Sequence, residues 1–161
     1  MTFSDITALL QDQFSFAVNT TNTQPYLLVQ PADLVPICQF LRDDERLFFD
    51  QLACLTAIDN GPESDTMDVF YNFTSIPYEH DLMLRVMIPR QTTSGDLPVL
   101  PTLSHLWRTA DWHEREAFDL VGIRFENHPD MRRILLPTDW EGHPLRTDYV
   151  EPTYYHGILN K

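Results

Sequence analysis

The chain has 161 residues, 43% hydrophobic and 12% aromatic, so it is long enough for one compact domain and too short for two sizeable ones. Its 24 acidic residues outnumber the 11 basic ones, and the formal net charge of -13 has the wrong sign for binding nucleic acid or an anionic lipid surface. No apolar run approaches the ~18 residues that a membrane-spanning helix needs. We therefore expect any membrane association to be indirect, through another protein.

Cysteine and arginine usage gives two further indications. Cys38 and Cys54 stand alone in apolar surroundings, and we expect both to be buried free thiols. Ten of the eleven basic residues are arginine, which indicates either buried or interfacial ion pairs or a simple compositional bias. The N-terminal residues resemble neither a signal peptide nor a transit peptide, so we expect the chain to stay in the cytosol.

The first hundred residues predict an α+β fold. Helical spacing of apolar residues predicts a short helix over 4–10 and a second helix from Pro31 to Leu41. Alternating or continuous apolar residues predict five strands, at 14–18, 26–29, 47–58, 67–73 and 82–88. The connections between the last three strands are short, which favours antiparallel neighbours. We therefore predict a largely antiparallel sheet with helices packed on one face.

A strongly patterned helix is predicted to start near Thr102. On a helical wheel one face carries the apolar residues Leu103, Leu106, Trp107, Ala110, Ala117, Phe118 and Val121. The opposite face carries the charged residues Arg108, Asp111, Arg115 and Asp119. We interpret the charged face as solvent-exposed, with i,i+4 pairs that add little stability.

Glu114 is the unusual residue of this helix, because the wheel places its carboxylate inside the apolar face. A buried charge must be paired or neutralised. One interpretation is a buried ion pair with Arg132 or Arg133, which follow a turn at residues 128–130. The alternative is a capping box in which Asp111 caps a new helix after a break near Thr109 and Glu114 closes the box.

The last 37 residues differ from the rest. We divide the chain into an α+β domain, 1–124, and an extended C-terminal tail, 125–161. The tail has four prolines and no amphipathic period, yet it is rich in aromatic and aliphatic residues. Because such a segment would expose apolar surface to water, we expect it to dock on a partner subunit.

Sequence motifs for catalysis are missing. His113-Glu114 lacks the second histidine of a zinc-protease helix, and the chain has no G-x-S-x-G, P-loop or G-x-G-x-x-G pattern. We therefore expect no catalytic, cofactor-binding or metal-binding residues. A free-standing acidic enzyme using His113 or Glu114 is the competing hypothesis from another class, and nothing in the sequence predicts the pocket it would need.

A series of stretches from Glu114 onward resembles a known family. They are residues 114–116, 118–123, 128–137, 139–146 and 148–149. Together they resemble the signature of the 30-kilodalton subunit of respiratory complex I, the NADH:quinone oxidoreductase. The signature and partner-contact residues that the resemblance implies are Glu114, Arg115, Glu116, Asp119, Gly122, His128, Pro129, Arg132, Arg133, Pro137, Trp140, Gly142, Pro144, Leu145, Arg146, Asp148 and Tyr149.

The resemblance implies a non-catalytic structural and assembly subunit of the peripheral arm of a proton-translocating NADH:quinone oxidoreductase. Such a subunit would support electron transfer from NADH to quinone by packing against the large, 49-kilodalton-type subunit at the quinone site. It would carry no flavin, iron–sulfur cluster or metal, and would lie peripherally on the cytoplasmic side of the cell membrane. The alternative within the family is the equivalent subunit of an energy-converting membrane-bound hydrogenase or ferredoxin-linked complex.

Overall fold

The computed structural model describes residues 1–92 and 94–159. Three α-helices and nine strands lie along these residues. The helices are α1 (Phe3–Gln11), α2 (Leu34–Asp43) and α3 (Arg108–Leu120). The strands are β1 (Ala17–Asn19), β2 (Tyr26–Val29), β3 (Gln51–Asp59), β4 (Thr66–Ser75), β5 (His80–Pro89), β6 (Val99–Pro101), β7 (Arg124–Glu126), β8 (Tyr154–Tyr155) and β9 (Ile158–Leu159).

The main sheet has five strands in the order β1-β2-β5-β4-β3. Short turns join β3, β4 and β5 into an antiparallel meander, and β1 pairs antiparallel with β2. The pairing of β2 with β5 is parallel. The predicted largely antiparallel sheet is confirmed, although β3 starts later than predicted: Leu47 and Phe49 are buried ahead of it without belonging to the strand.

One face of the sheet is covered by helices, as predicted. A capping box between Thr2 and Asp5 starts α1, and a 3₁₀ turn at Pro31–Asp33 leads into α2. The apolar stripes of both helices join the alternating buried residues of the sheet in one hydrophobic core. The protein therefore has an α+β fold. No helix among residues 1–92 and 94–159 is long and apolar enough to cross a membrane.

Helix α3 starts at Arg108, six residues later than predicted. Trp107 is extended, with φ -131 and ψ 123, and it ends a turn that Leu103 opens. The Trp107 indole donates to the carbonyl of Phe49 at 3.0 Å, and the Thr109 hydroxyl donates to the carbonyl of Leu52 at 2.9 Å. A buried turn has thus placed Leu103 and Trp107 in the core, and their spacing imitated a helix.

The expectation for the cysteines is half right. Cys38 of α2 is buried, and burial raises the pKa of its thiol well above the ordinary range. Cys54 is exposed, because it alternates with the buried Leu55 along β3 and so points to the opposite side of that strand. Its sulfur is 3.3 Å from the hydroxyl of Thr56.

Candidate docking segment and the residues that hold it

Glu114 is fully buried in α3, as predicted, but its partners are not arginines. The backbone N–H of Leu103 donates to its carboxyl at 2.7 Å, and the hydroxyl of Thr102 donates to the other oxygen. The predicted pair with Arg132 or Arg133 is therefore wrong. The capping-box alternative is wrong as well, since α3 begins before Asp111. Glu114 holds the turn that precedes its own helix.

His128 fastens the turn at residues 128–130 to α3. Its Nδ1 accepts a hydrogen bond from the backbone N–H of Asp130 at 3.0 Å, which assigns the ring proton to Nε2. Nε2 donates to the carbonyl of Asp111 at 3.1 Å and lies 3.9 Å from the Glu114 carboxyl. The start of the C-terminal segment, by which we mean residues 127–159, is thereby fixed on the helix.

Arg115 is buried rather than solvent-exposed. Its Nε donates to the carbonyl of Arg132 at 3.3 Å, and its guanidinium lies 3.8 Å from Asp130 and 5.2 Å from the ring centre of Trp112. The prediction of exposure failed because the C-terminal segment covers this face of α3. Glu116, by contrast, is exposed.

Asp119 is likewise fully buried, and its carboxylate accepts four hydrogen bonds from the C-terminal segment. One carboxyl oxygen accepts the backbone N–H groups of residues 134, 135 and 136 at 3.1, 2.8 and 2.9 Å. The other accepts Nη1 of Arg133 at 2.7 Å. Burial would raise the pKa of Asp119, but these hydrogen bonds outweigh burial and lower it. The carboxylate therefore stays charged and clips residues 133–136 to α3.

The end of α3 is closed by residues of the same segment. Gly122 has φ +80, and a Cβ there would lie 2.5 Å from the ring of His143, so glycine is needed for both conformation and space. His143 donates from Nδ1 to the carbonyl of Asp119 at 3.0 Å. Arg146 donates to the carbonyls of Val121 and Gly122 at 2.9 and 3.2 Å.

Another buried carboxylate, Asp59 at the end of β3, holds the segment further along the chain. Arg90 binds it through Nε and Nη2 at 2.7 and 3.0 Å, and also binds Asp148. The backbone N–H and hydroxyl of Thr147 donate to Asp59 at 2.9 and 3.1 Å, and the N–H of Gly61 donates at 3.1 Å. Burial opposes ionisation, but together these bonds hold the pKa of Asp59 well below its ordinary value.

The remaining signature residues lie within the C-terminal segment and differ in how far they are buried. Trp140 is half-buried with its ring centre 5.2 Å from that of Tyr155. A Cβ on Gly142, which has φ +80, would lie 3.1 Å from the Tyr149 ring. Pro144 and Tyr149 are half-buried, whereas Pro129, Arg132, Pro137, Gly142, Leu145 and Asp148 are exposed. The structure thus links Asp119, Gly122, Arg133, Gly142 and Arg146 through hydrogen bonds near the end of α3. The side chain of Arg132 pairs with Asp130 instead, and Pro129 and Pro137 are exposed.

Apolar side chains stand in solvent along this segment. Val150 is 84% exposed, and other exposed residues are Leu135, Leu145, Tyr154, Ile158 and Leu159. The strands β8 and β9 that carry the last three form an isolated two-stranded hairpin, a structure of marginal stability on its own. A segment fastened by buried carboxylates therefore displays an apolar outer surface, and this combination is suited to binding another protein.

Sequence reasoning missed Asp59, Arg90 and Thr102. Asp59 and Thr147 are 88 residues apart in sequence, so no local motif joins them. The arginine-rich composition was the one available signal. Its interpretation as buried ion pairs is confirmed by Arg90 with Asp59 and by Arg133 with Asp119.

The burial of Glu114 predicts an unusual pH dependence. Burial raises its pKa from 4.5 to about 7, although the hydrogen bonds from Thr102 and Leu103 oppose the rise. Because the folded chain holds this proton more tightly, the free energy of unfolding should fall between about pH 4.5 and 7 and level off above. Glu114→Gln cannot ionise, so at about pH 8 it should be more stable than the parent by about 3 kcal/mol.

Urea unfolding of both proteins at about pH 5 and pH 8 measures this effect as the change in their difference. Glu116→Gln is the matched control, since Glu116 is exposed two residues away on the same helix, and it should leave the profile unchanged. A stability difference between parent and Glu114→Gln that is the same at both pH values would contradict the prediction.

Comparisons with known proteins agree with the signature. Residues 27–155 match the model of the family described as respiratory-chain NADH dehydrogenase, 30 Kd subunit. An NADH-quinone oxidoreductase subunit of Chloroherpeton thalassium is 42% identical over 93% of this chain, which spans 62% of that relative. The subunit of the same name from Chlorobium phaeobacteroides is 38% identical over 93% of this chain and 90% of its own length.

A solved structure supports the fold. One chain of the membrane-bound sulfane sulfur reductase, an archaeal respiratory membrane complex, superposes with a TM-score of 0.74 over 91% of this chain and 84% of its own length. At 18% sequence identity this likeness concerns the fold alone. The family model and the two relatives carry the assignment, and they confirm the resemblance seen in residues 114–149. The chain belongs to the family of the 30-kilodalton subunit of the respiratory-chain NADH dehydrogenase.

Proposed function

We propose that the chain is a non-catalytic structural and assembly subunit in the peripheral arm of a proton-translocating NADH:quinone oxidoreductase. Its C-terminal segment docks on the large, 49-kilodalton-type subunit and thereby supports electron transfer from NADH to quinone. The protein lies on the cytoplasmic side of the cell membrane and reaches the membrane only through its neighbours. Family membership supports the parent complex.

The observation that carries the docking role is the contrast between the two sides of the C-terminal segment. Its inner side is fixed by Asp59 and Asp119, which are buried. Its outer side exposes the aliphatic residues Leu135, Leu145, Val150, Ile158 and Leu159. Pre-ordering a segment reduces the conformational entropy that binding must overcome, so this arrangement favours a permanent interface over a loose linker.

Co-expression with the large subunit tests the proposal. Val150→Asp should weaken co-purification of the two chains by about tenfold or more, because it places a charge in the apolar interface. Ile76→Asp is the matched control: Ile76 is 60% exposed in the turn between β4 and β5, outside the segment. Hydrogen exchange should show protection of residues 135–159 when the large subunit is bound.

Two results would contradict the proposal. One is equal binding by both variants and the parent, and the other is a stoichiometric flavin, iron–sulfur cluster or metal in the purified chain. Purification of the tagged chain from native membranes, followed by mass spectrometry of the bound subunits, also identifies the electron donor. Co-purification of hydrogenase or ferredoxin-linked subunits instead of NADH-oxidising ones would favour the alternative parent complex.

A further inference from the structure

An open cavity of about 370 Å³ lies on the C-terminal segment, where the chain bends between Glu141 and Val150. His143, Arg146, Asp148 and Tyr149 contribute to its lining. The cavity is next to the contacts that close α3, and it is open to solvent. It is therefore available to a group from another molecule.

Arg146 differs from the other arginines of the chain. Those with a carboxylate within 4.0 Å are Arg42, Arg46, Arg85, Arg90, Arg115, Arg132 and Arg133. Arg108 and Arg124 have no such partner in the part of the chain that the structure describes, but they are exposed, so water solvates them. Arg146 is half-buried and has no carboxylate within that distance among residues 1–92 and 94–159. Its guanidinium donates to the two carbonyls at the end of α3, and Asp59 and Asp148 act on its charge from beyond that distance.

Burial and neighbouring charges of both signs act on Arg146. Burial and the nearby Arg90 lower the pKa of its guanidinium, although Asp59 and Asp148 oppose this. Burial, Arg146 and Arg133 lower the pKa of His143, although the Asp119 carbonyl opposes this. Arg146 is therefore a half-buried cation whose two nearby acids, Asp59 and Asp148, are both bound to Arg90.

The donors of Arg146 are not exhausted. Nε and Nη2 bind the carbonyls of Val121 and Gly122, and Nη1 makes no hydrogen bond within the described residues. Two acids also line the cavity, but neither is within ion-pair distance of Arg146. Asp148 binds Arg90, and Glu141 is exposed. One side of a planar guanidinium therefore remains free to bind an incoming oxygen pair.

We propose that this cavity is a receptor for an aspartate or glutamate side chain of the large subunit, with Arg146 as the residue that binds it. This inference rests on the proposed docking function and specifies one ion pair of that interface. A guanidinium fork binds a carboxylate with two parallel hydrogen bonds. The strongly negative chain repels polyanions such as nucleic acid, whereas a single carboxylate on a partner's surface can reach the free donor edge of the Arg146 guanidinium.

The experiment compares Arg146→Gln with the parent in co-purification with the large subunit. Arg146→Gln should weaken binding by about tenfold or more, because the partner's carboxylate loses its charged donor. Arg108→Gln, at an exposed arginine with no ion pair, is the matched control and should bind within about twofold of the parent. Arg146→Lys should recover part of the lost affinity, since it keeps the charge and loses the fork.

A second measurement, on the unmodified sequence, distinguishes binding by Arg146 from a role of Arg146 in folding alone. Phenylglyoxal modification, followed by mass spectrometry, reports the accessibility of each arginine. Arg146 should react in the isolated chain and be protected in the complex, while Arg108 should react equally in both. In addition, an acid-to-lysine change in the large subunit should restore binding to Arg146→Glu, which identifies the carboxylate.

The outcomes separate this inference from the docking function. If Val150→Asp prevents binding and Arg146→Gln binds like the parent, the receptor is refuted and the docking function stands. If the parent chain does not bind the large subunit, the proposed function itself fails. If sodium acetate or phosphate raises the melting temperature of the parent and not of Arg146→Gln, while binding is unaffected, the cavity holds a free anion and the partner carboxylate is refuted. Unprotected Arg146 in the complex refutes it as well.

Discussion

Asp59→Ala is expected to lower the free energy of unfolding by about 3–5 kcal/mol, because it removes one member of a buried ion pair. The side chain of Asp59 is 0% exposed and that of Arg90 is 4% exposed. Without Asp59, Arg90 keeps only Asp148, and the N–H groups of Gly61 and Thr147 lose their acceptor. Urea unfolding with an unchanged m-value measures the loss.

The same variant should change the response to acid. The pKa of Asp59 is held below its ordinary value of 3.8, so its contribution is present above that pH and disappears as the pH falls further. Asp59→Ala should therefore lose this part of the acid sensitivity. Asp43→Ala is the control, since the Arg42–Asp43 pair is exposed and screened by solvent, so its loss should change stability little. Equal stability of the two variants would contradict the prediction.

Most of the main sheet could be predicted from the sequence, because its strands alternate and its turns are short. In β5 the residues Leu82, Leu84, Val86 and Ile88 are all buried, and each faces the core at the two-residue period of a strand. The hairpin from β3 to β4 and the one from β4 to β5 follow from connections of a few residues. Local patterns thus decided the topology of this meander.

The charged face of α3 could not be predicted from a helical wheel. A wheel identifies the face that meets the core and assumes that the opposite face is exposed to solvent. Here the C-terminal segment returns over the opposite face, so Arg115 and Asp119 are buried although they lie away from Leu103 and Trp107. That return depends on contacts between residues 15 to 17 positions apart, which have no periodic signal in the sequence.

For Glu114 the helical wheel predicted the burial but not the hydrogen-bond partners. Its position among apolar residues correctly indicated burial, because the wheel describes the core side well. Its partners are Thr102 and the N–H of Leu103, which belong to a turn that apolar spacing had presented as helix. A carboxyl that can be protonated and hydrogen-bonded needs no arginine, and this removes the basis for choosing one from the sequence.

Asp119→Ala is expected to cost about 3–5 kcal/mol as well, and Asp119→Asn should be nearly as damaging. The partners of this carboxyl explain the second expectation: Nη1 of Arg133 and the N–H groups of residues 134–136 are all donors, and the carboxylate of an aspartate only accepts. An asparagine amide must direct its NH₂ group at some of these donors, whichever way it turns. The conservative replacement therefore loses hydrogen bonds and the charge that pairs with Arg133.

Urea unfolding of the parent, Asp119→Ala and Asp119→Asn measures the cost, and hydrogen exchange of residues 134–136 locates it. We expect those amides to exchange faster in both variants while the core strand β4 remains protected. Glu116→Gln, an acid-to-amide change at an exposed position of the same helix, should have no measurable effect. If Asp119→Asn has the stability and the hydrogen exchange of the parent, an acceptor without charge is sufficient at this position.

Since Leu135 lies in the released stretch and is 61% exposed, both Asp119 variants should also bind the large subunit more weakly than the parent, because the docking segment would no longer be ordered in advance.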